Sequence, residues 1–222
     1  MARRATSGSI ERTAHAPDRA RAEAAIRDLI TALGLDPDHP ALAETPERTA
    51  AAFLDRLASG YQTTPARALG KGFPVSSSDP VVATRLPVMF LCPHHLMPAR
   101  GEVHLAFAPK DRVPGLARIA RLVDALAHRL VLQEDLCRWI VEALIENLEV
   151  KAAVAIIDAR HTCVAIEDFA RSDAAFRTRA ARGSKKLVAS LEAEIDATLA
   201  AAWATSASEP PTRKRGSKSR SR

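Results

Sequence analysis

Two short segments hold most of the chemistry available to this sequence. Cys92-Pro93-His94-His95 packs a thiol and two imidazoles into four positions, and His161-Thr162-Cys163 is the only other place where His and Cys lie close together. Cys92 and His95 are three residues apart, so one turn can present both to a single metal ion. A soft thiolate with an imidazole suits Zn²⁺. Two residues do not complete a site, so a further ligand must come from the second segment. If that segment is a strand, His161 and Cys163 point to the same face and look into one pocket. The ligand count stays open at this point: four protein ligands close a structural site, whereas three leave room for water at a catalytic one.

Other candidates are weaker. Cys137 falls inside a helical stretch and reads as a small buried apolar residue. His39 and His128 read as ordinary surface or loop histidines, and His104 lies on the polar side of a strand with no partner apparent. Gln133 and Glu134 open a helix. A carboxylate there favours the helix dipole, and it could also accept hydrogen bonds from the N–H and NH₂ edge of a guanine. Arg118 and Arg121, three apart on one helical face, are either solvated or able to clamp phosphates.

The elements that must position these residues can be read from periodicity. Apolar residues from Ala22 to Leu33 recur at helical spacing, and Gly34 stops that helix. Thr45 reads as an N-cap with Pro46 at the first helical position, and Gly60 closes this second helix. A loop covers 61–80. Val81 to Leu91 reads as a strand interrupted at Pro87. Gly101 to Pro109 alternates, with Val103, Leu105 and Phe107 on one side and Glu102 and His104 on the other, as a half-buried antiparallel strand does. Helices are expected from Pro114 and over 132–148. A strand is expected over 152–157, then a turn at Asp158 to Arg160 and an antiparallel neighbour over Thr162 to Asp168. Leu187, Leu191, Ile195, Leu199 and Trp203 form one face of a long C-terminal helix.

The chain is thus expected to be α+β: a disordered tail over 1–17, a helical region over 18–80, a strand–strand–helix–helix–strand–strand domain over 81–182, a helix over 183–203 and a basic tail over 204–222. Hydrophobic residues make up 47% of the 222 residues, enough for a sizeable core, while aromatics are only 4%. The net charge of +6 sits in the tail: Arg213 to Arg222 hold six of the 32 basic residues, leaving 26 against 26 acids. No aromatics interleave with that charge, so nucleic acid is not expected as a partner. Three cysteines exclude a disulfide framework. No apolar run approaches the ~18 residues of a membrane span, and the start lacks the apolar stretch of a secretory signal, so the cytoplasm is expected.

Taken together, these segments resemble the GTP cyclohydrolase I family. Its C-E-H-H, followed some seventy residues later by H-x-C, corresponds to the C-P-H-H and H-T-C of this chain. V-P-G-L-A-R-I-A-R-L-V, L-V-L-Q-E-D-L and A-E-T-P-E-R-T-A are similar to three further family motifs. The resemblance covers roughly residues 20 to 165. It implies that Cys92, His95 and Cys163 hold Zn²⁺, that His94 and His161 transfer protons, that Glu134 with Gln133 holds the guanine, and that Arg118 and Arg121 meet the triphosphate. It also implies a tunnelling fold, an antiparallel sheet backed by two helices, and a homo-oligomer, a ring-shaped decamer with sites at subunit interfaces. The implied reaction is hydrolysis of the imidazole ring of GTP, giving formate and 7,8-dihydroneopterin triphosphate.

Four departures stand against the family pattern. Pro93 replaces a Glu, Ala117 replaces a Ser near the phosphates, and the G-S-x-T-x-T motif is absent from a C-terminal stretch that ends in a long helix instead. The largest is Glu167, which stands where the family carries a phosphate-contacting Arg; Arg160, Arg171, Arg177 and Arg179 are the candidates to restore positive charge. Three readings follow: the family reaction, a zinc enzyme of the same fold acting on a purine or pterin with fewer phosphates, or a non-catalytic zinc-stabilised binding ring.

Overall fold

The computed structural model describes residues 16–208, with side chains up to 201. The tails expected over 1–17 and 204–222 lie largely outside the described residues, as does the side chain of Trp203.

The N-terminal region is helical. Helix α1 (Arg19–Ala32) starts where the Asp18 carboxylate accepts from the Arg21 N–H, an N-cap that satisfies an otherwise orphaned donor. Helix α2 (Thr45–Ala51) begins one residue earlier than expected: Glu44 is the cap and Thr45 is already helical. It continues into a π-helical turn over Ala52–Leu57. Short helix α3 (Pro65–Leu69) and strand β1 (Phe73–Pro74) lead to the main sheet.

That sheet is antiparallel, with strands β2 (Val81–Leu91), β3 (Pro98–Ala108), β5 (Ala152–His161) and β6 (Phe176–Arg182) lying side by side in that order. Between β3 and β5 the chain forms the two-residue strand β4 (Arg112–Val113), which pairs with β1, and helices α4 (Leu116–Ala127) and α5 (Gln133–Leu148). A short helix α6 (Thr162–Glu167) separates β5 from β6, and α7 (Lys185–Ser208) ends the described chain.

Side-chain alternation gives the sheet two covered faces. Val103, Leu105 and Phe107 of β3 join Ala153, Ala155 and Ile157 of β5 in one core under α4 and α5. The opposite parity, Ala106 and Ala108 with Ala152 and Val154, packs under Leu191 and Ile195 of α7. The expected half-buried strand is therefore covered on both sides at this end. Small alanines on the second face let α7 approach closely.

Two expectations about strands need correction. First, β2 is not broken at Pro87, which pairs with Glu102. Its irregularity lies earlier, where Ala83 opposes Leu105 but Leu86 opposes Val103, so one extra residue is inserted. Arg85 takes the left-handed conformation there, with φ 56. Such a bulge shifts side-chain parity by one, and this is why Val81, Ala83, Leu86, Val88 and Phe90 all serve the same core. Proline is tolerated because β2 is an edge strand of this sheet.

Second, Asp158 to Arg160 is not a turn and Thr162 to Asp168 is not a strand. β5 runs on to His161, with Asp158, Ala159, Arg160 and His161 opposite Glu102, Gly101, Arg100 and Ala99. Gly101 makes this possible, since a Cβ there would lie 1.9 Å from the Asp158 carbonyl oxygen. The run Val164-Ala165-Ile166 looks like a strand by propensity, but the neighbouring place in the sheet is taken by Phe176–Arg182.

Candidate active site

The loop between β2 and β3 carries Cys92, His94 and His95. It is closed by Cys92 N–H to Met97 O (2.9 Å) and Leu96 N–H to Cys92 O (2.9 Å). Leu96 absorbs the reversal at φ 55. The β3–β5 register sets Ala99 opposite His161, so this loop and the end of β5 share one end of the sheet. Cys163 then falls in the first turn of α6. His161 and Cys163 are therefore not two residues of one strand face; a strand end and a helix start bring them to the same cavity.

The potential ligand atoms of Cys92, His95 and Cys163 all lie within 4.8 Å of one another. Cys92 Sγ is 3.8 Å from His95 Nδ1. A tetrahedral Zn²⁺ with bonds of ~2.0–2.3 Å keeps its ligand atoms roughly 3.4–3.8 Å apart, so this donor set fits a zinc ion. Burial, with the neighbouring Cys92 sulfur, pushes the Cys163 thiol up, and a cation between the two sulfurs would relieve that.

These three residues border a cavity of about 260 Å³ that also holds His94, Gln133, Glu134 and His161. Glu134 is exposed on the first turn of α5, whereas Gln133 beside it is only 3% exposed. The Gln133 side chain is engaged: Nε2 donates to Ile157 O (2.9 Å) and Phe176 O (2.8 Å), and Oε1 meets His161 Nε2 at 2.8 Å. The rings of Phe90 and Phe176 pack against His161 in T-shaped contacts, each with centroids 5.6 Å away. Burial lowers the His161 pKa from its ordinary value, and Glu134 opposes that shift.

Arg118 and Arg121 do not reach this cavity within one chain. They border a separate one of about 320 Å³ with Arg67, Asp124 and His128. Arg118 donates to Arg67 O (3.2 Å) and Ala68 O (3.3 Å), capping α3. The four candidate arginines for offsetting Glu167 are committed elsewhere. Arg177 pairs with Asp158 (2.8 Å), Arg179 with Glu192 of α7, Arg171 with Asp168 (3.0 Å), and Arg160 donates to Asp173 O (3.2 Å). Glu167 itself is exposed at the end of α6.

Cys137 is the small buried residue expected: its Sγ donates to Ala155 O at 3.1 Å, and burial pushes the thiol up to about 11. His104 is not partnerless. Its Nδ1 accepts from the Arg85 N–H (3.1 Å), and its Nε2 lies 3.6 Å from Asp158 Oδ2. The sequence hides this because the bulge that frees the Arg85 N–H has no composition signal.

A two-thiol, one-imidazole group beside a carboxylate and two further histidines is one of the arrangements able to support metal-assisted hydrolysis. The chain belongs to the GTP cyclohydrolase I family, whose model matches residues 22–199. It is similar to GTP cyclohydrolase 1 of Mycobacteroides abscessus, 38% identical over 185 residues, covering 82% of this chain and 90% of that protein. The protein of the same name from Corynebacterium glutamicum (strain R) is 38% identical over 80% of this chain and 91% of its own. That from Chromobacterium violaceum is 40% identical over 156 residues, 70% of this chain and 76% of its own.

Proposed function

We propose that this protein is a zinc-dependent GTP cyclohydrolase I that opens the imidazole ring of GTP and releases formate, forming 7,8-dihydroneopterin triphosphate. The observation that carries this reading is the mutual approach of the Cys92, His95 and Cys163 ligand atoms at a cavity shared with His161 and Glu134, in a chain of this family. The α+β sheet with α4 and α5 on one face supports the tunnelling fold. No observation favours a different purine or a non-catalytic ring.

Cys92, His95 and Cys163 would hold Zn²⁺, which would supply Lewis acidity and lower the pKa of water toward neutrality. The remaining work falls to the chain's own residues. Glu134 accepts hydrogen bonds from the N–H and NH₂ edge of guanine. His161 and His94 exchange protons with the opening ring, as general acid–base groups do. Arg118 and Arg121 belong to a different cavity of the same chain, which supports a homo-oligomer in which one copy's arginines meet a triphosphate held at the next copy's zinc site. Among the described residues β2, apart from its end at Leu91, and β6 pair with no further strand on their outer edges, which supports assembly through the sheets into a closed ring such as a decamer.

Incubation of the zinc-loaded protein with GTP, GDP, guanosine and ATP tests the reading. Formate and a pterin should appear in equal amounts, GTP should give the highest kcat/KM, and ATP should be inert. A rate order that does not favour GTP would return Glu167 to the centre of the argument, as the mark of a less phosphorylated substrate.

A further inference from the structure

The cavity wall contains a buried amide whose orientation is dictated by its neighbours. A primary amide offers one acceptor oxygen and two N–H donors. The two backbone groups facing the Gln133 amide, Ile157 O on β5 and Phe176 O on β6, can only accept. Turning the amide over would set its oxygen against two carbonyl oxygens and lose both bonds in a buried place. The Gln133 nitrogen is therefore on the strand side, and its oxygen faces His161 Nε2 at 2.8 Å.

An amide oxygen accepts and never donates, so the ring nitrogen opposite it must carry hydrogen. In a neutral imidazole, a proton on Nε2 leaves the lone pair on Nδ1. Among the described residues no hydrogen bond to His161 Nδ1 is present. The rings of Phe90 and Phe176, packed against His161 at interplanar angles of 79° and 84°, restrain rotation of the imidazole that would exchange the two nitrogens.

We propose that Gln133 is a positioning residue that fixes the tautomer of His161, so that Nδ1 is the nitrogen that exchanges a proton with substrate. Two strand carbonyls orient the amide, the amide orients the imidazole, and the imidazole acts. The step balances simply. His161 protonated on both nitrogens gives its Nδ1 proton to the substrate ring nitrogen and remains as the neutral Nε2–H form, still held by the Gln133 oxygen. The reverse transfer restores it. Reading guanine is left to Glu134, because both Gln133 donors are already used. The transfer step rests on the proposed cyclohydrolase reading; the tautomer does not.

The test uses the zinc-loaded full-length protein with ¹⁵N-labelled histidine rings. In the wild type, His161 should show a protonated, pyrrole-type Nε2 and a pyridine-type Nδ1. Gln133→Met keeps length but removes the amide. It should lose this single tautomer and lower kcat by about tenfold to a hundredfold, the range of a weakened general acid–base group, with KM for GTP and zinc content little changed. Gln133→Glu keeps an acceptor oxygen opposite His161, and should restore the Nε2–H signal and part of kcat while lowering the melting temperature. A wild-type His161 protonated on Nδ1 would overturn the proposal, as would a Met variant that raises KM and leaves kcat intact. If the Met variant does not fold, the wild-type spectrum still decides. If wild-type protein does not turn over GTP, the cyclohydrolase reading fails while the tautomer stands or falls on the spectrum.

Discussion

His104 and His161 sit on neighbouring strands of one sheet, on opposite faces, and burial lowers the pKa of both. They differ in what their nitrogens meet. His104 is used up: Nδ1 accepts from the Arg85 N–H released by the bulge, and Nε2 faces Asp158, which Arg177 grips with two 2.8 Å hydrogen bonds. His161 is held at Nε2 by Gln133 and opens on a cavity with potential metal ligands. A histidine bonded at one nitrogen and set against a carboxylate at the other, 3.6 Å away, closes a structural gap, whereas one with a single anchored nitrogen facing a cavity is oriented and still able to act. The comparison extends to the faces themselves. The α5 side carries the cavity, and the α7 side carries alanines, leucines and ion pairs such as Arg179–Glu192.

The sharpest way to break this comparison is at the metal group. Cys163→Ser should remove zinc and abolish turnover, as should Cys92→Ser, while Cys137→Ser leaves metal content unchanged. Metal analysis of the purified variants checks this, and full zinc in the Cys163 variant would dissolve the three-ligand assignment.

The opposite face should respond in stability and not in chemistry. Leu191 is 1% exposed against Ala106, Ala108 and Val154, and Leu191→Ala should cost ~2–5 kcal/mol. Urea unfolding measures that loss, and kcat per folded molecule should stay near the wild type. A large fall in kcat would mean that the two faces are coupled.

A smaller effect is expected at His104. His104→Phe strands the Arg85 N–H and should cost about 1–3 kcal/mol. Its pH signature carries a definite sign. Glu102 and Asp158 raise the His104 pKa and Arg85 and Arg177 lower it, but desolvation is the largest influence and the net direction is down. Below an ordinary value of ~6.5 the unfolded chain therefore binds the proton first. Wild-type stability present above that pH should be lost as pH falls toward the folded-state pKa. Melting curves of His104→Phe should lack this component of the decline. Asp158 adds an acid-labile contribution in a lower window, because Arg177 holds its carboxyl below the usual carboxylate range. A variant that declines in parallel with the wild type would remove His104 from the account.

Much of this arrangement was legible along the chain. Cys92 and His95 could share a turn because they lie three positions apart, and the 3.6-residue periodicity of α4 and α5 and the alternation of Val103, Leu105 and Phe107 marked their buried sides. Leu187, Leu191, Ile195 and Leu199 likewise announced the face by which α7 docks. The stretch after Ile157 misled because β propensity is a local quantity: Val164-Ala165-Ile166 favours a strand, yet β5 had already extended to His161 and β6 filled the place beside it.

Residue type and spacing alone determined the donor chemistry, a thiolate–imidazole set suited to zinc, and the helices and most of the strands that carry it. Tertiary structure decided what each polar group has left to offer. Gln133 and Glu134 are adjacent in sequence and equivalent as helix starters, but one is sealed against two carbonyls and a histidine while the other faces a cavity. Arg118 and Arg121 share a helix face with the right charge for phosphate, but they border a different cavity from the cysteines. The physical reason is that hydrogen-bond capacity is finite and is consumed by long-range partners, here β5, β6 and α3, whose arrival at a given side chain no local pattern encodes.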